Sequence, residues 1–159
     1  MVRKTGVLAG IIGFLVAIIS RIPIYPPLNL ELNFSIFSVN HIDYYFWGSV
    51  ADGITSFSSM NLGFPENLIS IIMWCLILFV SISSIAASTN NTKYAYASKL
   101  YKLNILFTGF FMIFYLINAI FSIIHDLRLI FIVLRLGFYS TIGIMVLNII
   151  ALTYLRKSI

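Results

Sequence analysis

The side chains able to do chemistry are few and far apart. The chain carries two histidines, one cysteine, five carboxylates and ten basic residues in 159 positions. His41 and His125 sit in polar stretches between apolar runs, and no ligand cluster surrounds either. They read as loop or turn histidines rather than metal ligands. Neither falls within an apolar run, which argues against haem held between helices. Cys75 lies inside an apolar run and is the only cysteine. An intrachain disulfide is therefore impossible, and redox or thiolate metal chemistry is not expected. The sequence has no glycine-rich phosphate loop preceded by a strand, no Ser-His-Asp or Cys-His arrangement, and no carboxylate pair within an apolar run for proton transfer. The expectation is a protein that is not an enzyme and holds no cofactor and no metal.

Two features merit a functional reading. Arg135 interrupts apolar sequence that runs from Leu129 to Leu155. An arginine inside a bilayer is costly and marks function by default. Leu136–Leu155 alone is long enough to cross, so the preferred expectation places Arg135 at headgroup level, on helices that project past the outer interface. The second feature is a stripe of Asn104, Thr108, Tyr115, Asn118 and Ser122 at helical spacing. In lipid such side chains usually bond across to neighbouring helices, for about 0.6–2 kcal/mol each. A solute pathway is the sharper alternative, but no ionisable residue joins the stripe.

Composition says what must position these groups. The chain is 60% hydrophobic and 9% charged, with a mean hydropathy of +1.01. Soluble domains carry about 25% charged residues, so the solvent here is a bilayer. The net charge of +5 comes from basic residues that flank apolar runs, which fits membrane orientation and not nucleic-acid binding. The expected fold is an all-α membrane protein over 1–159. It is a four-transmembrane-helix bundle with spans at about 5–22, 67–88, 103–124 and 129–155 and a small antiparallel β-sheet in the outer loop 21–65.

In the first span, Gly6, Gly10, Gly13 and Ala17 share one face, which lets another helix approach closely. A signal peptide competes for this segment. No clear small-x-small cleavage pattern follows, so a retained helix is preferred, with Arg21 snorkelling at its end. Pro23, Pro26 and Pro27 stop that helix. Leu28, Leu30, Leu32, Phe34 and Ile36 then alternate with polar residues, which predicts a strand with its even-numbered side chains inward. Tyr44–Val50 predicts a second strand, Asp52-Gly53 a hairpin turn, and Ile54–Ser59 a third strand. Tyr44, Tyr45, Phe46 and Trp47 are candidates for contact with a partner or the headgroup layer, with packing on the protein's own helices as the competing reading. Asn33-Phe34-Ser35 is a glycosylation sequon. Pro65 and Glu66 suit the start of the second span.

The charges divide by side. Arg3, Lys4, Lys93, Lys99, Lys102, Arg156 and Lys157 flank one end of the spans without an acid. Glu31, Asp43, Asp52, Glu66 and Asp126 flank the other, with Arg21, Arg128 and Arg135. The positive-inside rule makes the first side cytoplasmic, with both termini inside and the 21–65 loop outside. On that side Asn33 is open to glycosylation, whereas the sequon Asn90-Asn91-Thr92 lies inside.

Four spans, inner termini, a long first outer loop with strand character and a short second one resemble the claudin and peripheral-myelin-type tetraspan arrangement. The likeness is one of topology. Against that family's Gly-Leu-Trp segment and two loop cysteines this loop offers only Phe46-Trp47-Gly48, so no functional residue is carried over. The resemblance implies lateral assembly or cell-surface contact. The expected role is structural assembly or interaction through the outer loop, with the lipid bilayer and a protein partner or second copy as partners. An accessory subunit of a larger respiratory or transport complex, and a small solute or ion transporter, are the alternatives.

Overall fold

A computed structural model describes residues 4–19, 21–24, 30–56, 66–89 and 92–157. The described helices are α1 (Lys4–Ile18), α2 (Glu66–Ser88), α3 (Tyr94–Ser122), α4 (Ile130–Val133) and α5 (Leu136–Lys157). The strands are β1 (Arg21–Ile24), β2 (Leu30–Asn33), β3 (Phe37–Val39), β4 (Ile42–Tyr44), β5 (Ser49–Ala51) and β6 (Ile54–Ser56). Three helices, within α2, α3 and α5, are long and apolar enough to cross a membrane. The described part of α1 has 15 residues, roughly 22 Å at 1.5 Å per residue.

The long helices pack as a ring, α1 against α2 and α5, and α3 against the same two. Each buries one seam at alternating spacings of three and four residues. On α3 the seam is Ala97, Tyr101, Asn104, Thr108, Phe111, Tyr115 and Asn118. On α5 it is Gly137, Thr141, Ile144, Asn148, Ala151 and Leu155. This is the pattern of left-handed helix packing. The outward faces are also apolar, with Ile11, Ile72, Phe79, Leu106, Ile113 and Ile149 exposed. A helix that is apolar all round belongs in a large core or in lipid.

The elements have other bounds than the expected spans. Helix α3 begins at Tyr94 rather than near 103. Its 29 residues make roughly 43 Å, more than the ~30 Å of a bilayer's hydrocarbon. The expected span over 129–155 is broken: Leu134 is extended, with ψ at 130°, and α5 starts only at Leu136. The first helix ends at Ile18, and Arg21–Ile24 forms a strand instead of continuing it.

The antiparallel sheet is present as two pieces, a β1–β2 pair and a β3-β4-β5-β6 meander. Two-residue turns join β3 to β4 and β5 to β6, at Asn40-His41 with φ of 51° and 63°, and at Asp52-Gly53 with φ of 48° and 81°. Positive φ at both central residues is the type I′ requirement, and Gly53 meets it without a steric cost. The expected single strand over Tyr44–Val50 is split, because Tyr45 N–H donates to the Gly48 carbonyl at 2.7 Å and closes a turn between β4 and β5.

Candidate functional site

The predicted polar stripe resolves into two kinds of residue. Asn104, buried on α3, reaches across the bundle. Its Oδ1 accepts from Ser83 Oγ at 2.6 Å, and its Nδ2 donates to Ser84 Oγ at 2.9 Å and to Asn148 Oδ1 at 3.3 Å. Ser84 Oγ also donates to Asn148 Oδ1 at 3.0 Å, and Asn148 Nδ2 donates to the Ile144 carbonyl at 2.8 Å. One network thus ties α2, α3 and α5, with both amides satisfied as buried polar groups must be. A turn away, Ser88 and Tyr101 share a hydrogen bond of 2.9 Å.

The other stripe residues turn back on their own helix. Thr108 donates to the Asn104 carbonyl, Asn118 to the Phe114 carbonyl and Ser122 to the Asn118 carbonyl, at 2.7, 2.8 and 2.9 Å. Ser122 is exposed. Tyr115 packs in an aromatic group, edge-on to Phe46 at 5.3 Å and to Phe114 at 5.2 Å. Sequence reading missed Asn148 and Ser83. The signal for Asn148 was present, as an amide alone in an otherwise apolar run.

Helix α1 closes this assembly with its small residues. Gly6, Gly10, Gly13 and Ala17 are buried. A Cβ on Gly6 would lie 2.6 Å from Tyr101 Oη, and one on Gly10 would lie 2.6 Å from the Ser81 carbonyl oxygen. A Cβ on Gly13 would meet Ser81 Oγ. Further along, Trp74 Nε1 donates to the Ala17 carbonyl at 3.0 Å. Ala17, Ile18, Ile71, Trp74 and Trp47 line a mostly apolar groove of about 450 Å³.

At this end of the bundle, where α1 stops and α5 starts, the sheet is built into the helices. Phe34, Ser35, Ile36 and Phe37 are buried in succession. Alternation fails here because the segment is paired on both sides. Ile36 N–H donates to the Tyr44 carbonyl at 2.7 Å, Arg135 N–H to the Ile36 carbonyl at 3.0 Å, and Gly137 N–H to the Ser35 carbonyl at 2.9 Å. Gly137 has no side chain to spare: a Cβ would lie 2.7 Å from that same Ser35 oxygen. Leu134 bridges Phe37.

The inward face expected for even-numbered residues holds at Phe34 and Ile36 and fails at Leu32. Leu32 is 38% exposed, the side chain of Leu30 lies outside what is described, and Leu28 lies outside the described residues. Asn33, expected on the free face, is instead a hub. Its Nδ2 donates to Asp43 Oδ2 at 2.7 Å, and its Oδ1 accepts from Ser35 N–H and Tyr45 Oη, each at 2.9 Å. A glycan would be attached at the same Nδ2 that donates to Asp43.

In the aromatic run the contacts are those of packing on the protein's own helices, the competing reading. Tyr44, Tyr45 and Phe46 are buried and Trp47 half-buried. Phe46 meets Phe111 edge-on at 5.2 Å, Tyr44 stacks on Phe37 at 4.4 Å, and Trp47 stacks on Tyr45 at 5.1 Å. Arg135 stands exposed just before α5. His41 is exposed in the β3–β4 turn, and His125 is exposed after α3. Among the described residues no group of histidine, cysteine or carboxylate side chains is placed to share a metal ion. No protein-family model, curated protein or solved structure matches the chain.

Proposed function

We propose that this chain is a non-enzymatic, four-span integral membrane protein that presents the β3–β6 sheet as a fixed platform for protein contact. Helix α1 is the fourth span, and both termini lie on the cytoplasmic side. The observation that carries this reading is the asymmetry of the sheet. One edge, β3, is tied to Leu134 and its neighbours, and its Phe37 is buried against Tyr115 of α3. The opposite strand, β6, carries Ile54 at 75% exposure beside an exposed Thr55. A sheet held this firmly orders its exposed strand in advance, which lowers the entropic cost of binding.

The polar interior supports assembly over transport. Asn104, Ser83, Ser84 and Asn148 bond to one another rather than facing an open path, and none ionises. The claudin-like topology is part of this proposal, through lateral assembly as its consequence. The test is site-directed photo-crosslinking in the source membrane, with the reactive group at Ile54, at Thr55 and at the helix position Ile113. Adducts at Ile54 and Thr55 of twice the chain's mass support self-assembly. Adducts of one other defined mass support the accessory-subunit role. Adducts from Ile113 alone would contradict recognition through the sheet.

A further inference from the structure

Between α3 and α5 the chain carries an apolar surface that the bundle leaves uncovered. Along the 3-10 turn Leu127–Leu129 and α4, the side chains of Leu127, Leu129, Phe131 and Ile132 are exposed, Phe131 by 79%. The segment is nonetheless fixed. Val133 and Leu134 are buried in the main core, Leu134 bridges Phe37, and Arg135 N–H holds the Ile36 carbonyl.

Arg128 follows Leu127, Arg135 closes the segment, and both are exposed. Neither makes an ion pair with another described residue. The nearest acid in sequence is Asp126, whose carboxylate accepts from the backbone N–H of Arg128 at 3.1 Å. Glu31, Asp43 and Asp52 belong to the two sheets, at β2, β4 and the β5–β6 turn. With Arg21 of β1 the two arginines are the cations of an end that also carries these acids. Exposed aromatic and aliphatic side chains interleaved with arginine are the composition of an element lying in the membrane interface. Its level agrees: α3 ends at Ser122 and α5 begins at Leu136, so the segment lies where both helices leave the hydrocarbon.

We propose that 127–135 is an interfacial anchor, in which Phe131 and Ile132 enter the boundary between headgroups and acyl chains and Arg128 and Arg135 hold the phosphates of anionic phospholipid. The inference rests on the membrane-spanning reading given above. It adds a consequence: because Leu134 and Arg135 grip Ile36 and Phe37, the anchor sets the height of the sheet above the bilayer.

The full chain carrying C75S is reconstituted in vesicles of phosphatidylcholine and phosphatidylglycerol. An environment-sensitive fluorophore is attached at F131C, I113C or N40C in turn. Lipids bearing a nitroxide near the headgroup are expected to quench the label at F131C, lipids bearing it deep in the chain the label at I113C, and neither the label at N40C. Quenching at I113C without quenching at F131C would overturn the anchor and leave the spanning reading intact. Absence of quenching at both would overturn both. R128Q and R135Q are each expected to lower, by about fivefold, the ratio of phosphatidylglycerol to phosphatidylcholine retained on the purified protein. An unchanged ratio in both variants would remove the headgroup assignment.

Discussion

Asn33 shows how much one residue can decide in this protein. It bonds Asp43, Ser35 and Tyr45 together, two of them ten or more positions away in the sequence. Asn33→Asp removes the donor to Asp43 and sets two carboxylates face to face. It is expected to destabilise the sheet by about 1–3 kcal/mol, read as faster limited proteolysis within 30–56. Leu32→Asp, at an exposed position, is expected to leave proteolysis unchanged. The alternation of residues 28–36 pointed the other way, because periodicity registers a half-buried strand and cannot register a segment paired on both sides. The stripe on α3 carries a similar lesson. Helical spacing places Asn104, Asn118 and Ser122 on one face, but only Asn104 finds partners on other helices. Asn104→Ala is expected to cost about 1–2 kcal/mol of stability in detergent, and Ser122→Ala close to nothing, by thermal unfolding.

At the scale of elements, the small residues of α1 set how near it comes to α2. Gly10 faces the Ser81 carbonyl and Ile85, whereas Gly143 on α5 has open space where a Cβ would stand. Gly10→Ala is expected to lower the unfolding temperature, with Gly10→Leu worse, because backbone must shift to admit the atoms. Gly143→Ala is expected to raise stability by up to about 1 kcal/mol through helix propensity. Equal responses at the two glycines would mean that α1 does not pack as described. The spacing of these glycines is visible in the sequence, and so is the Asp52-Gly53 turn. The Asn40-His41 turn is not, since asparagine followed by histidine is a weaker signal for paired positive φ. The break at Leu134-Arg135 was also hidden: Arg135 interrupts the apolar run, but arginine is a good helix former, and it is the bonds to Ser35 and Ile36 that replace helical ones there.

At the scale of the molecule, one arrangement accounts for the apolar outer faces, the satisfied polar seam and the sheet held at one end. Composition and charge carry the expectation of a bilayer and of an orientation, because both are sums over many residues; the three long apolar helices are compatible with the first. The seat of the sheet was not readable, because it depends on contacts between residues about a hundred positions apart, such as Phe37 with Leu134 and Ser35 with Gly137. The central claim is that the sheet stands outside while both the start of α1 and the α2–α3 connection lie inside. Labelling of single cysteines by a membrane-impermeant thiol reagent in intact cells, in a C75S background, tests it directly. The account predicts labelling at N40C in intact cells, and at T5C and Y96C only after the membrane is permeabilised. Labelling at T5C together with N40C in intact cells would contradict α1 as a span, and labelling at Y96C but not N40C would invert the protein in the membrane.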